Sequence, residues 1–370
     1  MIDAPPRRFA AVVIGATLLL LACGPSIAPT AGGKAASNAP SGPKTLTMYT
    51  RAEPNPLVLF GGRAGTSTSY YERFFMFHGN LTEFDSVGNV RPRLAAKVPT
   101  IQDGDWKVNS DGGMEVTWKI RPDVFWHDGK PLIAADFAFG FEVNRDPLLA
   151  VASMAEADKI SAVKAVDAKT LVVSWNAISV LGNSNAVEGI PSIAKHLMEE
   201  PYRTLDPQAF SALPGWTGEY IGLGPYKVSG YEPGTFLTGA AFDQYYLGRP
   251  KIDRIVIHWA GDTQVAAASI LAGAIDVILP GAAIFPGPMK EIERQWGKGK
   301  GRISLFPNDV AILWLNFRVE GHRWDPAQAG WQRDARFRQA MLYSINREPL
   351  AADLQESFTP VVYYPAFLEF

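Results

Sequence analysis

Thirty residues, Glu115 to Asn144, constrain the fold of this chain more than any other stretch. Val116, Trp118 and Ile120 alternate with Thr117, Lys119 and Arg121, which is the two-residue period of a strand with one face on a core. Pro122 and Asp123 stop that strand. Val124 to Trp126 resume as a short extended piece, and His127-Asp128-Gly129-Lys130 supplies turn chemistry, with glycine free to take positive φ. Pro131 keeps Lys130 out of the αR region, and a helix is expected from Ala134, where Phe137, Ala138 and Phe141 recur at helical spacing. Ile133 falls at the N-cap but has no acceptor, a lack that costs about 1 kcal/mol. Asp136, at N3, is left to answer the free N–H groups and the helix dipole.

This strand, turn and helix resemble the signature of the oligopeptide and dipeptide solute-binding family (family 5) of ABC importers, whose usual form reads like LREGVKWHDGTPFTAEDV. The matching positions are Ile120-Arg121, Val124, Trp126-His127-Asp128-Gly129, Pro131, Ala134 and Asp136; Ile133 and Ala135 depart from the usual Thr and Glu. Further motifs follow in the family's order. Gly222-Leu223-Gly224-Pro225-Tyr226-Lys227-Val228 resembles GTGPYKL, and Asp243 to Ile255 resembles NPDYWGGKPKIDRI. Leu271 to Val277 is similar to LLAGEIDVA, and Asp334 to Glu348 to DVRVRQALAYAIDRE. The Gly222-Leu223-Gly224 run is no phosphate cradle, because a strand rather than a helix N-terminus follows and no Lys-Ser/Thr is present; the glycines read as a tight backbone entry.

The resemblance implies an α/β, two-lobed, type II periplasmic-binding-protein-like fold that captures a peptide or similar small solute between its lobes and delivers it to an ABC permease. It implies no cofactor and no catalysis. The matched motifs run from about Thr45 to Asp353, whereas family members continue further, so the second lobe is expected to be incomplete. The acidic residue that typically pairs with a peptide's amino group lies in the part not covered.

The bulk numbers agree with a solute binder. The chain has 370 residues and is 47% hydrophobic, enough for two ordinary cores. With 35 basic and 37 acidic residues the net charge is -2, which leaves no electrostatic footprint for nucleic acid. Five scattered histidines (78, 127, 196, 258 and 322) show no metal-ligand spacing, and a single cysteine excludes a disulfide framework.

That cysteine has a different reading. Arg7-Arg8 precede an apolar run from Phe9 to Leu21, too short to span a membrane comfortably but right for a signal peptide. The run ends in Leu20-Leu21-Ala22-Cys23, which resembles a bacterial lipobox and implies cleavage before Cys23 and a diacylglycerol on its sulfur. Residues 24–44, rich in Gly, Ala, Ser, Pro and Thr, read as a flexible tether to a membrane. The expected organisation is a signal peptide over 1–22, a lipidated and tethering segment over 23–44, a first lobe over 45–279 and part of a second over 280–370, with a hinge near Leu279 to Gly281.

Strands are expected at Thr45 to Thr50, Ile255 to His258, Ile275 to Leu279, Arg302 to Phe306 and Ala311 to Phe317, and hairpins at Trp106 to Met114 and Lys164 to Val173. Ile275 to Leu279 reads as a strand buried on both faces of a parallel sheet. Asp262 and Asp334 are expected N-caps, the latter of a helix with Phe337, Ala340, Met341, Ser344 and Ile345 on one face. Tyr70, Phe74 and Phe77 read as a core stripe. Candidate ligand contacts are Glu53, Pro54 and Asn55 after the first strand, Tyr245, and Trp314 and Asn316 on a second-lobe strand. Two alternatives stay open: a secreted hydrolase, although G-x-S-x-G and H-E-x-x-H patterns are absent, and a peptide-sensing lipoprotein without transport; the chain is expected to act as a monomer.

Overall fold

A computed structural model describes residues 42–50, 53, 75–149, 157–184, 190–259, 262–279, 286–297, 299–304 and 334–355. Cys23, its leader and tether residues 24–41, Pro54, Asn55, Tyr70, Phe74, the expected hinge residues 280 and 281, and the strand expected at 311–317 with Trp314 and Asn316 lie outside the described residues.

In chain order the strands are β1 (Thr45–Thr50), β2 (Thr82–Phe84), β3 (Val90–Pro92), β4 (Trp106–Val108), β5 (Met114–Lys119), β6 (Ile160–Ala165), β7 (Thr170–Trp175), β8 (Tyr226–Glu232), β9 (Phe236–Ala241), β10 (Arg254–Trp259) and β11 (Val277–Ile278). The α-helices are α1 (Ala134–Asn144), α2 (Lys195–Thr204), α3 (Pro207–Ser211), α4 (Thr263–Leu271), α5 (Pro286–Trp296), α6 (Ala335–Ser344) and α7 (Arg347–Gln355).

The alternation read in Glu115 to Arg121 becomes the central part of an antiparallel sheet of order β4-β5-β7-β6. Met114, Val116 and Trp118 turn inward, with Leu171 and Val173 of β7 on the same buried face. Burying each such side chain contributes roughly 2 kcal/mol. Both expected hairpins are present, β4 against β5 and β6 against β7.

Helix α1 begins at Ala134 as the sequence requires, but its buried surface differs from the expected single stripe. Ala138 and Phe141 are half-buried, while Phe139, Gly140 and Val143 join Phe137 in the interior. The reason is that α1 lies between two cores: Ala134 and Phe137 pack under the four-stranded sheet, and Phe139 and Val143 pack into a second cluster with Met198, Phe210 and Trp216. At Gly140 a Cβ would stand 1.9 Å from the Pro191 carbonyl oxygen, so the segment around Pro191 rests directly on the helix backbone.

The second sheet has the order β11-β1-β10-β9-β8. β1 runs parallel to both neighbours, pairing Thr45 with Arg254 through Thr50 with Trp259, and Met48 with Val277. The unit β10-α4-β11 therefore crosses over β1 and returns on its far side. One face, with Met48, Leu237, Ile255, Ile257 and Trp259, joins the second core; the other holds Tyr49 against Ala266 of α4 and Ile275.

Ile275 to Leu279 departs from the expectation of a strand buried on both faces. Among the described residues only Val277 and Ile278 join the ladder, beside β1, and Val277 is exposed. The Asp262 carboxylate caps α4 by accepting from the Gln264 amide at 2.8 Å, and Asp334 caps α6 through the Arg336 amide at 2.8 Å. On the shared face of α6, Phe337, Met341 and Ile345 are half-buried and Ala340 and Ser344 exposed. Residues 302–304 form no strand.

Candidate functional site

In an open sheet with parallel strands, the place that binds ligands is the crevice beyond the strands' carboxyl ends, where neighbouring connections leave in opposite directions. Here that edge is formed by Thr50 of β1, its register partner Trp259 of β10, and the end of β11. Glu53 follows β1. Its carboxylate accepts from the Tyr231 hydroxyl and, at 3.1 Å, from the Gly234 amide, which ties the end of β1 to the β8-β9 hairpin. Burial, and then the neighbouring Glu53 carboxylate, push the Tyr231 phenol up to about 12. The Tyr231 ring lies 6.3 Å from the Trp259 ring. Trp259 is 8% exposed, and its indole nitrogen is buried with no hydrogen-bond partner among the described residues. The Tyr49 hydroxyl, on the opposite face, donates to the Asp262 carbonyl at 3.0 Å.

The Trp126 to Gly129 turn is an internal brace. The Asp136 carboxylate accepts from Trp126 Nε1 at 3.0 Å, from the Ile133 amide at 3.0 Å and from the Lys195 amide at 3.1 Å. His127 clamps the glycine-rich entry to β8: Nδ1 accepts from the Gly222 amide at 3.1 Å and Nε2 reaches the Gly224 carbonyl at 3.0 Å. Burial lowers the His127 imidazole to about 4. Gly222 and Gly224 are needed because a Cβ on Gly222 would stand 1.9 Å from the Phe77 carbonyl oxygen and one on Gly224 2.5 Å from its carbonyl carbon. The tight backbone entry read from the sequence is therefore present.

A second polar group bears on the hydrolase alternative. Ser192 Oγ lies 3.1 Å from Nε2 of His78, and the Tyr220 hydroxyl 2.6 Å from Nδ1. Burial, then the neighbouring His127, lower His78 to about 3, and burial raises Tyr220 well above the usual phenol range. The neutral His78 ring is thus held between two hydroxyls inside the fold, with all three side chains buried. The adjacent cavity of about 350 Å³, lined by Trp126, Met198, Trp216, Glu219 and Tyr220 among others, is mostly apolar. Its indole donors are committed within the fold, Trp126 to Asp136 and Trp216 to the Phe210 carbonyl at 2.7 Å.

Of the residues singled out from the sequence, Glu53 lies at the carboxyl edge. Tyr245 does not join it. The turn bearing Tyr245 leaves β9 where Ala240 and Ala241 lie beside Arg254 and Asp253, at the amino end of β10. There Tyr245 packs on Tyr246, ring centroids 4.7 Å apart, with Arg93 Nη2 3.5 Å from its hydroxyl. Tyr231 and Trp259 were not singled out; the nearest signal was the strand pattern of Ile255 to His258 running directly into Trp259. His196, weighed above only as an isolated histidine, pairs with Asp128 at 2.6 Å.

The parallel strands and the open carboxyl edge are those of an α/β ligand-binding fold, and comparison with known proteins narrows the class. Residues 89–365 match the family described as bacterial extracellular solute-binding proteins, family 5 Middle, and the chain belongs to that family. It is 24% identical over 368 residues to the oligopeptide-binding protein AppA of Bacillus subtilis, covering 97% of this chain and 61% of that one. Among solved structures it is similar to NikZ of Campylobacter jejuni in complex with Ni(L-His), with TM-score 0.63, 19% identity and coverage of 87% and 57%. It is equally similar to the oligopeptide binding protein of Thermus thermophilus complexed with a pentapeptide, with TM-score 0.63, 19% identity and coverage of 86% and 57%. The fold is thus that of the type II, two-lobed binding proteins with the second lobe represented in part. The chain spans about half the length of the curated relatives it matches.

Proposed function

We propose that this chain is the substrate-binding lipoprotein of an ABC importer, which captures short peptides between two lobes and passes them to a membrane permease. The observation that carries the reading is the carboxyl edge of β1, β10 and β11, where Glu53, Tyr231 and Trp259 gather in a chain of the family 5 class. The peptide assignment draws on the ligands that similar proteins are described as binding, oligopeptides above all. In this reading residues 45–279 form the first lobe, residues 280–370 contribute to the second, and closure about the connection near Leu279 buries the solute. Diacylglycerol on Cys23 holds the body at the membrane surface, with 24–44 as the tether, and the binding unit acts as a monomer.

Calorimetric titration of residues 24–370 with a mixture of tri- to pentapeptides, alongside small-angle scattering, tests the reading. Heat of binding with a smaller radius of gyration is expected. Absence of peptide binding, or turnover of an ester or glycoside, overturns it. For the anchor, the full chain expressed in a bacterium is expected in the membrane fraction and Cys23→Ser in the soluble fraction.

A further inference from the structure

Buried hydrogen-bond donors are almost always paired, because an unpaired one costs the full desolvation of the group. Among the described residues, five buried side-chain polar atoms are without a partner: Asn80 Nδ2, Trp106 Nε1, Asn144 Oδ1, Trp175 Nε1 and Trp259 Nε1. Trp106 and Trp175 belong to the core under the four-stranded sheet, and Asn144 ends α1. Asn80 precedes β2. Trp259 alone is the last residue of a parallel strand, at the carboxyl edge that general sheet topology marks for ligands.

No described residue accepts from it. The neighbouring Glu53 carboxylate is already taken by the Tyr231 hydroxyl and the Gly234 amide, and the Tyr231 ring, 6.3 Å away, presents a π system. The core beside it, with Leu237, Ile257 and Leu279, is apolar. A buried donor at the carboxyl end of a parallel strand, unpaired within the fold, can be satisfied by an acceptor brought from outside.

We propose that the Trp259 indole N–H is a specificity-determining donor, hydrogen-bonded in the liganded protein to a main-chain carbonyl or terminal carboxylate oxygen of the bound peptide. The inference rests on the solute-binding reading above and deepens it. Shielding from bulk water makes the bond count for more than it would on an open surface. Solutes that present no oxygen at this point leave the donor unpaired and are discriminated against.

The test uses residues 24–370 labelled with 15N at the tryptophan indoles, with the Trp259 signal assigned by its loss in Trp259→Phe. Alanine tri-, tetra- and pentapeptides are the probes, with maltotriose as a solute of another class. The expected results are a downfield shift of the Trp259 N–H on peptide binding and about fivefold weaker binding in Trp259→Phe, the loss of one net hydrogen bond. The thermal midpoint of the free Trp259→Phe protein is expected to equal or exceed that of the wild type, because a merely structural tryptophan would lower it. If peptides bind and neither the resonance nor the affinity responds, or if Trp259→Phe unfolds as readily as Trp259→Ala, the Trp259 proposal falls and the peptide reading stands. If maltotriose shifts the resonance and peptides do not bind, the peptide reading falls and the donor role stands, with a sugar oxygen as its acceptor. If neither probe binds and the resonance is silent, both fall.

Discussion

The indole N–H of Trp126 donates to the Asp136 carboxylate at 3.0 Å, with both side chains buried. The same carboxylate takes the amides of Ile133 and Lys195, so one acidic residue supplies the cap that Ile133 cannot, positions the start of α2, and fixes the ring of Trp126. Replacing Asp136 with Ala leaves one buried and two part-buried donors unanswered, the buried one alone worth about 1–3 kcal/mol. Asp136→Ala is expected to lose about 3 kcal/mol or more in urea unfolding, and Asp136→Asn, which keeps one acceptor oxygen, to lose less.

Stability is expected to fall on acidification through the two buried imidazoles. His78 and His127 are held near 3 and 4 in the folded chain, against 6.5 for the free group, because burial penalises the charged ring. Their contribution is complete above about pH 6.5 and is lost as pH falls toward about 4, where the unfolded chain takes up protons that the folded one refuses. Asp136 acts in the opposite sense. Burial raises its pKa, so its contribution is present below the ordinary carboxylate range and lost as pH rises through the raised value. Thermal midpoints measured between pH 7.5 and 4.5 should decline for the wild type and decline less for His127→Gln.

Backbone contacts at glycine should dominate local tolerance. Gly140→Ala and Gly222→Ala each place a methyl group 1.9 Å from a backbone carbonyl oxygen, of Pro191 and Phe77 respectively. Relief requires moving main chain, and each variant is expected to lose about 3 kcal/mol or more. Gly88→Ala meets no atom but sits at φ +85°, and should lose only about 1–2 kcal/mol. Circular dichroism melts of the three proteins check the ranking.

The Glu53 link to the β8-β9 hairpin gives a separable outcome. Tyr231→Phe removes one hydrogen bond, worth about 1 kcal/mol, and leaves the Gly234 amide bonded to Glu53. Glu53→Ala frees both partners. Hydrogen exchange at the Gly234 amide is therefore expected to stay slow in Tyr231→Phe and to accelerate in Glu53→Ala.

The local elements of the fold were legible where short-range chemistry dictates them. The alternation of Val116, Trp118 and Ile120, the start of α1 at Ala134, the caps at Asp262 and Asp334 and the turn at Gly129 all depend on neighbours within a few residues. What stayed hidden depends on partners far along the chain. The second buried face of α1, with Phe139 and Val143, exists because residues from 193 to 220 pack there, and helical spacing alone shows one stripe. The grouping of His78 with Ser192 and Tyr220, 114 and 142 residues apart, has no sequence signature. At the candidate site Glu53 was reachable from its place after the first strand. Tyr245 belonged to a quoted motif but is carried to the other end of β10. Trp259 stood out only once the parallel register put it beside Thr50.

The central position of β1 has a consequence for the order of assembly. Both hydrogen-bonding edges of Thr45 to Thr50 are filled by strands made more than two hundred residues later, Lys44 already bonding to Asp253 across a separation of 209. A ribosome must therefore deliver nearly three hundred residues before this sheet can close, and closing so long a loop is slow. Until then β1 lacks both of its native neighbours, so the late crossover through β10, α4 and β11 is what fixes the first strand in place.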